Sequence, residues 1–137
     1  MIVIDASVLA NFVGDDETDG AATRAIVTSH GDAALPDLAD VETAAVLRRR
    51  WIDKTINARR FANALHDLAA LPFRRHPAAP LLARIYELRS NVTAYDAVYV
   101  ALAEALDAEL LTADARLARA SGPRCPIELI TTPLTKT

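Results

Sequence analysis

The chain has 137 residues, enough for one domain and too few to suggest a second. Its 52% hydrophobic content reads as globular, and a single cysteine, Cys125, excludes both an internal disulfide and a cysteine-based zinc site. A net charge of −3 does not announce a nucleic-acid binder, but the charges are segregated: nine acids and one base lie in residues 1–42, ten bases and three acids in residues 43–90.

Met1-Ile2-Val3-Ile4 opens the chain without a basic leader, and no apolar run approaches the ~20 residues of a membrane span, so a reducing cytoplasm is the expected location. Ile2-Val3-Ile4 reads as a short buried strand ending at Asp5, followed by a helix over 6–13 and the acidic turn Gly14-Asp15-Asp16. A second helix fits 18–29 and stops at Gly31. Residues 33–35 form a weak strand ended by Pro36, and Asp37 can cap a helix running to Arg48-Arg49-Arg50. Phe61, Leu65 and Leu68 recur at helical spacing, and residues 73–75 suit an edge strand.

Pro77 is expected to start a helix carrying Leu81, Leu82, Ile85 and Leu88. Thr93 caps the next helix, with Tyr95, Tyr99, Leu102 and Leu106 along one face. Strand 109–112, a short helix opened by Asp114, and strand 127–130 complete the pattern, and the last few residues are expected to fray. Short apolar strands alternating with longer helices predict a single α/β domain over 1–137: a central parallel sheet in an α/β/α sandwich. Ligands bind such sheets beyond the carboxyl ends of the strands.

Four acids fall there. Asp5 and Asp114 each follow a strand, where either can cap the next helix or face a ligand. Glu42 lies among Leu38, Val41, Ala45 and Val46, at a helix start that also suits it electrostatically, and Asp40 competes for its role. Asp96 stands three residues after Thr93, at capping-box spacing, in an otherwise apolar helix. Ser7 and Thr112 are nearby hydroxyls. Four carboxylates on one sheet edge would repel one another unless a divalent cation neutralised them, and oxygen-only ligands suit Mg²⁺ or Mn²⁺.

These residues resemble the PIN-domain nucleases, and among them the VapC-type toxins of bacterial toxin–antitoxin pairs. The matching stretches are Ile4-Asp5-Ala6-Ser7, Pro36-Asp37-Leu38 leading to Glu42, Thr93-Ala94-Tyr95-Asp96-Ala97-Val98-Tyr99, and Leu111-Thr112-Ala113-Asp114. The resemblance implies Asp5, Glu42, Asp96 and Asp114 as the acidic quartet around Mg²⁺ or Mn²⁺, supported by Ser7 and Thr112. It implies endoribonuclease cleavage of structured RNA such as tRNA or rRNA, a homodimer, and an antitoxin that inserts a basic side chain among the four acids. Arg48, Arg49, Arg50, Arg74 and Arg75 are the expected phosphate carriers, and Phe61 with Leu65, or Leu81 with Ile85, the expected dimer contacts. Two other readings are a phosphatase of another α/β class, which would need a second Asp at position 7 and a lysine in the site, and a catalytically idle PIN fold used for binding.

Overall fold

The computed structural model describes residues 1–131. In chain order it forms β1 (Ile2–Ile4), α1 (Ala6–Gly14), α2 (Thr18–Ser29), β2 (Ala33–Pro36), α3 (Ala39–Ile52), α4 (Ala58–Ala70) and β3 (Arg74–His76). A 3₁₀ turn (Ala79–Leu81) leads into α5 (Leu82–Glu87), then α6 (Ala94–Ala105), β4 (Glu109–Thr112), α7 (Ala115–Ala118) and β5 (Ile127–Leu129). The expected fraying of the last few residues concerns positions outside the described residues.

All five strands are parallel, in the order β3-β2-β1-β4-β5. β1 is completely buried because helices cover it on both faces. Helices α1 to α4 pack as one group, and α5 packs on α6, which lies across β1, β2 and β4. Every α6 residue from Ala97 to Ala103 is buried, as expected for a helix hydrophobic nearly all round. The chain winds from β1 to β3 in one direction, then returns over the sheet to β4 and β5. The order therefore reverses between β1 and β4, where an open parallel sheet forms its ligand crevice.

Several local expectations change. Asp37 does not cap α3: it is exposed, its N–H donates to the His76 carbonyl (2.7 Å), and the helix enters through Leu38 with no side-chain cap. The helix expected at Pro77 is delayed to Leu82, because Pro80 holds a 3₁₀ turn, and Leu82 is exposed rather than core. Tyr95 and Tyr99 part company: Tyr99 is buried, whereas Tyr95, one turn earlier, stands 64% exposed.

Two arginines expected on an RNA track are used internally instead. The C-terminal carbonyls of α1 lack intrahelical partners. Arg24 donates to the Phe12 and Asp15 carbonyls, Arg60 to that of Val13, and Arg50 to that of Ala10 and to Asn11 Oδ1. Arg75 is bidentate to Asp40 (3.0 and 3.2 Å) and also donates to the carbonyls of Leu68, Leu71 and Phe73. Of the apolar positions expected at a dimer contact, Leu81 is buried in the core, whereas Phe61, Leu65 and Ile85 pack against the core and are only half-buried.

Candidate active site

Asp5 leaves β1 at the crevice and turns into α1. Its carboxylate is 6% exposed and accepts three hydrogen bonds, from Ser7 Oγ (2.5 Å), the Val8 N–H (3.1 Å) and the Thr112 hydroxyl. The Val8 bond is an N-cap, so the structural and the ligand role of Asp5 occupy one side chain. Ser7 Oγ accepts from the Ala113 N–H (3.1 Å), and Thr112 Oγ1 from the Asp114 N–H (3.0 Å). The two hydroxyls therefore tie the end of β1 to the loop after β4.

Glu42 comes from the first turn of α3 and faces the crevice, where Tyr99 donates its hydroxyl proton to Oε1 (2.6 Å). Asp40, its competitor, projects to another side of α3 and is held by Arg75. Asp96 begins α6, its N–H donating to the capping Thr93 Oγ1 (3.1 Å). Asp114 caps α7 by accepting from the Arg116 N–H (2.8 Å).

The four acids share one electrostatic neighbourhood. Burial raises the pKa of Asp5, and the Asp96 charge adds to it against its three hydrogen bonds. Burial likewise raises Glu42, opposed by the Tyr99 hydrogen bond and reinforced by the charges of Asp96 and Asp5. Asp96 rises through burial and then the Asp114 charge. Among the described residues no lysine, arginine or histidine forms an ion pair with Asp5, Glu42 or Asp96. Arg116 stands 4.0 Å from Asp114, but its side chain is 91% exposed.

A cluster of carboxylates without an internal cation has the donor chemistry of a hard divalent ion. The four are more open than a closed cage. Among the described residues, the one trio of possible ligands within 4.8 Å of one another is His30, Glu109 and Glu128. That trio lies away from the crevice, with Glu109 at the start of β4, and the His30 ring lies between the two carboxylates.

Hollows flank the acids on two sides. One, about 390 Å³, is lined by Asp96, Asp114, Arg89, Asn91, Thr93 and Arg116 among others. The other, about 710 Å³ and mostly apolar, runs between α3 and the start of α6, lined by Val41, Glu42, Ala45, Arg49 and Tyr95. Arg116 reads in the sequence as an exposed helical residue beside Asp114, and Arg89 lies outside the run of arginines around 48–50. Their signal was proximity in sequence to Thr93 and Asp114.

A parallel α/β sandwich with an acidic crevice at its topological switch point defines the class. Residues 2–123 match the PIN domain family, and the chain belongs to it. Among its relatives is VapC ribonuclease Mb0985 of Mycobacterium bovis, 40% identical over 131 residues, covering 95% of this chain and 98% of that one. VapC20 of Mycobacterium tuberculosis, described as a sarcin-ricin loop cleaving toxin, superposes with a TM-score of 0.68 at 16% identity, over 86% of this chain and 93% of that one. VapBC2 of Rickettsia felis, solved on a fragment of its promoter DNA, gives 0.67 at 13% identity over 96% and 100%. The chain is thus a VapC-type PIN protein.

Proposed function

We propose that this chain is a Mg²⁺- or Mn²⁺-dependent endoribonuclease, the toxin of a toxin–antitoxin pair. The observation that carries the reading is the convergence of Asp5, Glu42, Asp96 and Asp114, from four separate elements, on one crevice without an internal counter-charge. A bound divalent ion would polarise the scissile phosphodiester and activate a water. The chain's own residues do the rest. Ser7, Val8 N–H and Thr112 fix the Asp5 carboxylate, and Arg49, Arg89 and Arg116 offer positive charge on either side of the acids.

The substrate class is structured RNA such as tRNA or rRNA, supported by the ribonuclease and loop-cleaving relatives. An antitoxin partner is supported by the VapBC complex. It would silence the site with a guanidinium laid among the four carboxylates, which matches their geometry and competes with the metal. A second copy of the chain is the other proposed partner. The phosphatase reading lacks support, since position 7 is a serine that hydrogen-bonds Asp5 and Lys54 is exposed between α3 and α4.

The test is cleavage of a folded RNA by the purified chain with Mn²⁺ and with EDTA, alongside Asp96→Asn and Asp114→Asn. Cleavage is expected only with the metal and only in the wild type. Equal cutting in EDTA, or undiminished cutting by both variants, would overturn the assignment. Binding without cutting would favour the idle fold.

A further inference from the structure

We propose that Tyr99 is a positioning residue that aims Glu42 at the metal, an inference that rests on the metal-site reading above. Tyr99 lies on α6, one turn beyond Asp96, and its ring is 1% exposed. Its hydroxyl donates to Glu42 Oε1 at 2.6 Å across 57 positions of sequence. The bond thus joins the helix that carries Asp96 to the helix that carries Glu42.

That link matters because the two helices pack mainly on other elements. α3 packs on α1 and α4, whereas α6 packs on α5 and the sheet. Between α3 and the start of α6 lies the apolar hollow of about 710 Å³, with exposed Tyr95 on one wall and Val41 and Ala45 on the other. A glutamate has three side-chain torsions, and one opening into a hollow would sample several directions at an entropic cost to any ligand that needs one. The Tyr99 hydroxyl holds one carboxylate oxygen and leaves the other free to face Asp5 and Asp96. This is how an outer hydrogen-bond partner orients a metal ligand, and removal of such partners characteristically costs 10–100-fold in metal affinity.

The phenol is suited to the task. A phenol is protonated at neutral pH and so serves as a donor there. Phenylalanine keeps the ring and the packing and deletes only the donor.

The test is Mn²⁺ titration calorimetry on wild type, Tyr99→Phe, Glu42→Gln and the double variant, with thermal melts of each metal-free protein. Tyr99→Phe is expected to bind Mn²⁺ roughly 10–100-fold more weakly while melting close to wild type. Its cleavage should recover as Mn²⁺ is raised to saturation, which a damaged fold would not allow. The double variant should bind as Glu42→Gln does, because a residue acting through Glu42 has nothing left to aim. Unchanged affinity in Tyr99→Phe, or losses that add in the double variant, would overturn the proposal and leave the metal site standing. If the phenylalanine variant melts low, the comparison of Glu42→Gln with the double variant, made well below both midpoints, decides. A wild-type protein that binds no Mn²⁺ would bring down the metal-site reading and this proposal together.

Discussion

Asp5 both caps α1 and heads the acidic crevice, and one pair of substitutions separates these roles. Asparagine caps a helix about as well as aspartate, so Asp5→Asn should keep the Val8 N–H bond and lose only the charge. It gives up one charge-assisted bond from the Thr112 hydroxyl, worth about 1.5–3 kcal/mol, and gains relief from burying an anion, worth several. Without metal it should therefore melt at or above wild type. Asp5→Ala also removes the anion but loses the cap. Both variants lose the Thr112 bond, so they should differ by the cap, about 1 kcal/mol, or roughly 4 °C in a domain of this size.

Metal reverses the ranking. Mn²⁺ at about a hundred times its dissociation constant would stabilise the wild type by about 2.7 kcal/mol, and both variants far less. Differential scanning fluorimetry with and without Mn²⁺ reads all of these quantities. An Asp5→Asn protein that melts well below wild type without metal, and still gains stability from Mn²⁺, would refute the reasoning. The carboxylate would then be a helix cap and nothing more.

The pH dependence of the metal-free protein follows from the raised pKa values of Asp5, Glu42 and Asp96. Above the ordinary 3.8 and 4.5 and below the raised values, the folded state binds more protons than the unfolded one, so stability is fully present below the ordinary values and is lost as pH rises through the raised ones. The urea midpoint should therefore increase as pH falls from neutrality toward the ordinary carboxylate values, and excess Mg²⁺ should remove the trend; equal slopes with and without Mg²⁺ would contradict it. Replacing Arg89 and Arg116 together by Ala should flatten the log–log salt dependence of RNA binding by about 1.4, at ~0.7 per phosphate of a single strand. Arg75→Ala should leave that slope alone and cost about 2–3 kcal/mol of stability, since Asp40 and three carbonyls lose their donor. A slope that responds to Arg75 instead would return it to the RNA track.

The strands and helices were legible because the chain punctuates itself. Asp5, Thr93 and Asp114 stand where strands or loops give way to helices, and all three cap in the structure. The same residue types mark caps and ligands, so the four acids could be picked out while their individual roles could not. Position along the chain says nothing about direction around a helix. Asp40 and Glu42 look alike in sequence, and only the fold sends one to Arg75 and the other to Tyr99. The basic middle segment misled for the same reason. Arg50 and Arg75 contribute positive charge on paper but spend it on carbonyls and on Asp40, contacts up to 40 positions away.

The arginines that line the two hollows bear on how RNA would be cut. Arg49 lies beside Glu42 in one hollow, and Arg89 and Arg116 lie beside Asp96 and Asp114 in the other. The acids sit between, at the reversal of the sheet order, and both hollows open to solvent. A polyanion repelled by four carboxylates would be held where flanking phosphates meet positive charge on each side, which would lay an internal phosphodiester over the crevice. Cutting a chain from its end would ask for a wall or a charge that recognises a terminus. The structured RNA proposed as substrate would suit the open form, since a loop can lay its unpaired strand across the acids while its stem remains outside. On this geometry, an RNA hairpin with a closed, endless loop should be cut as readily as one with a nearby terminus.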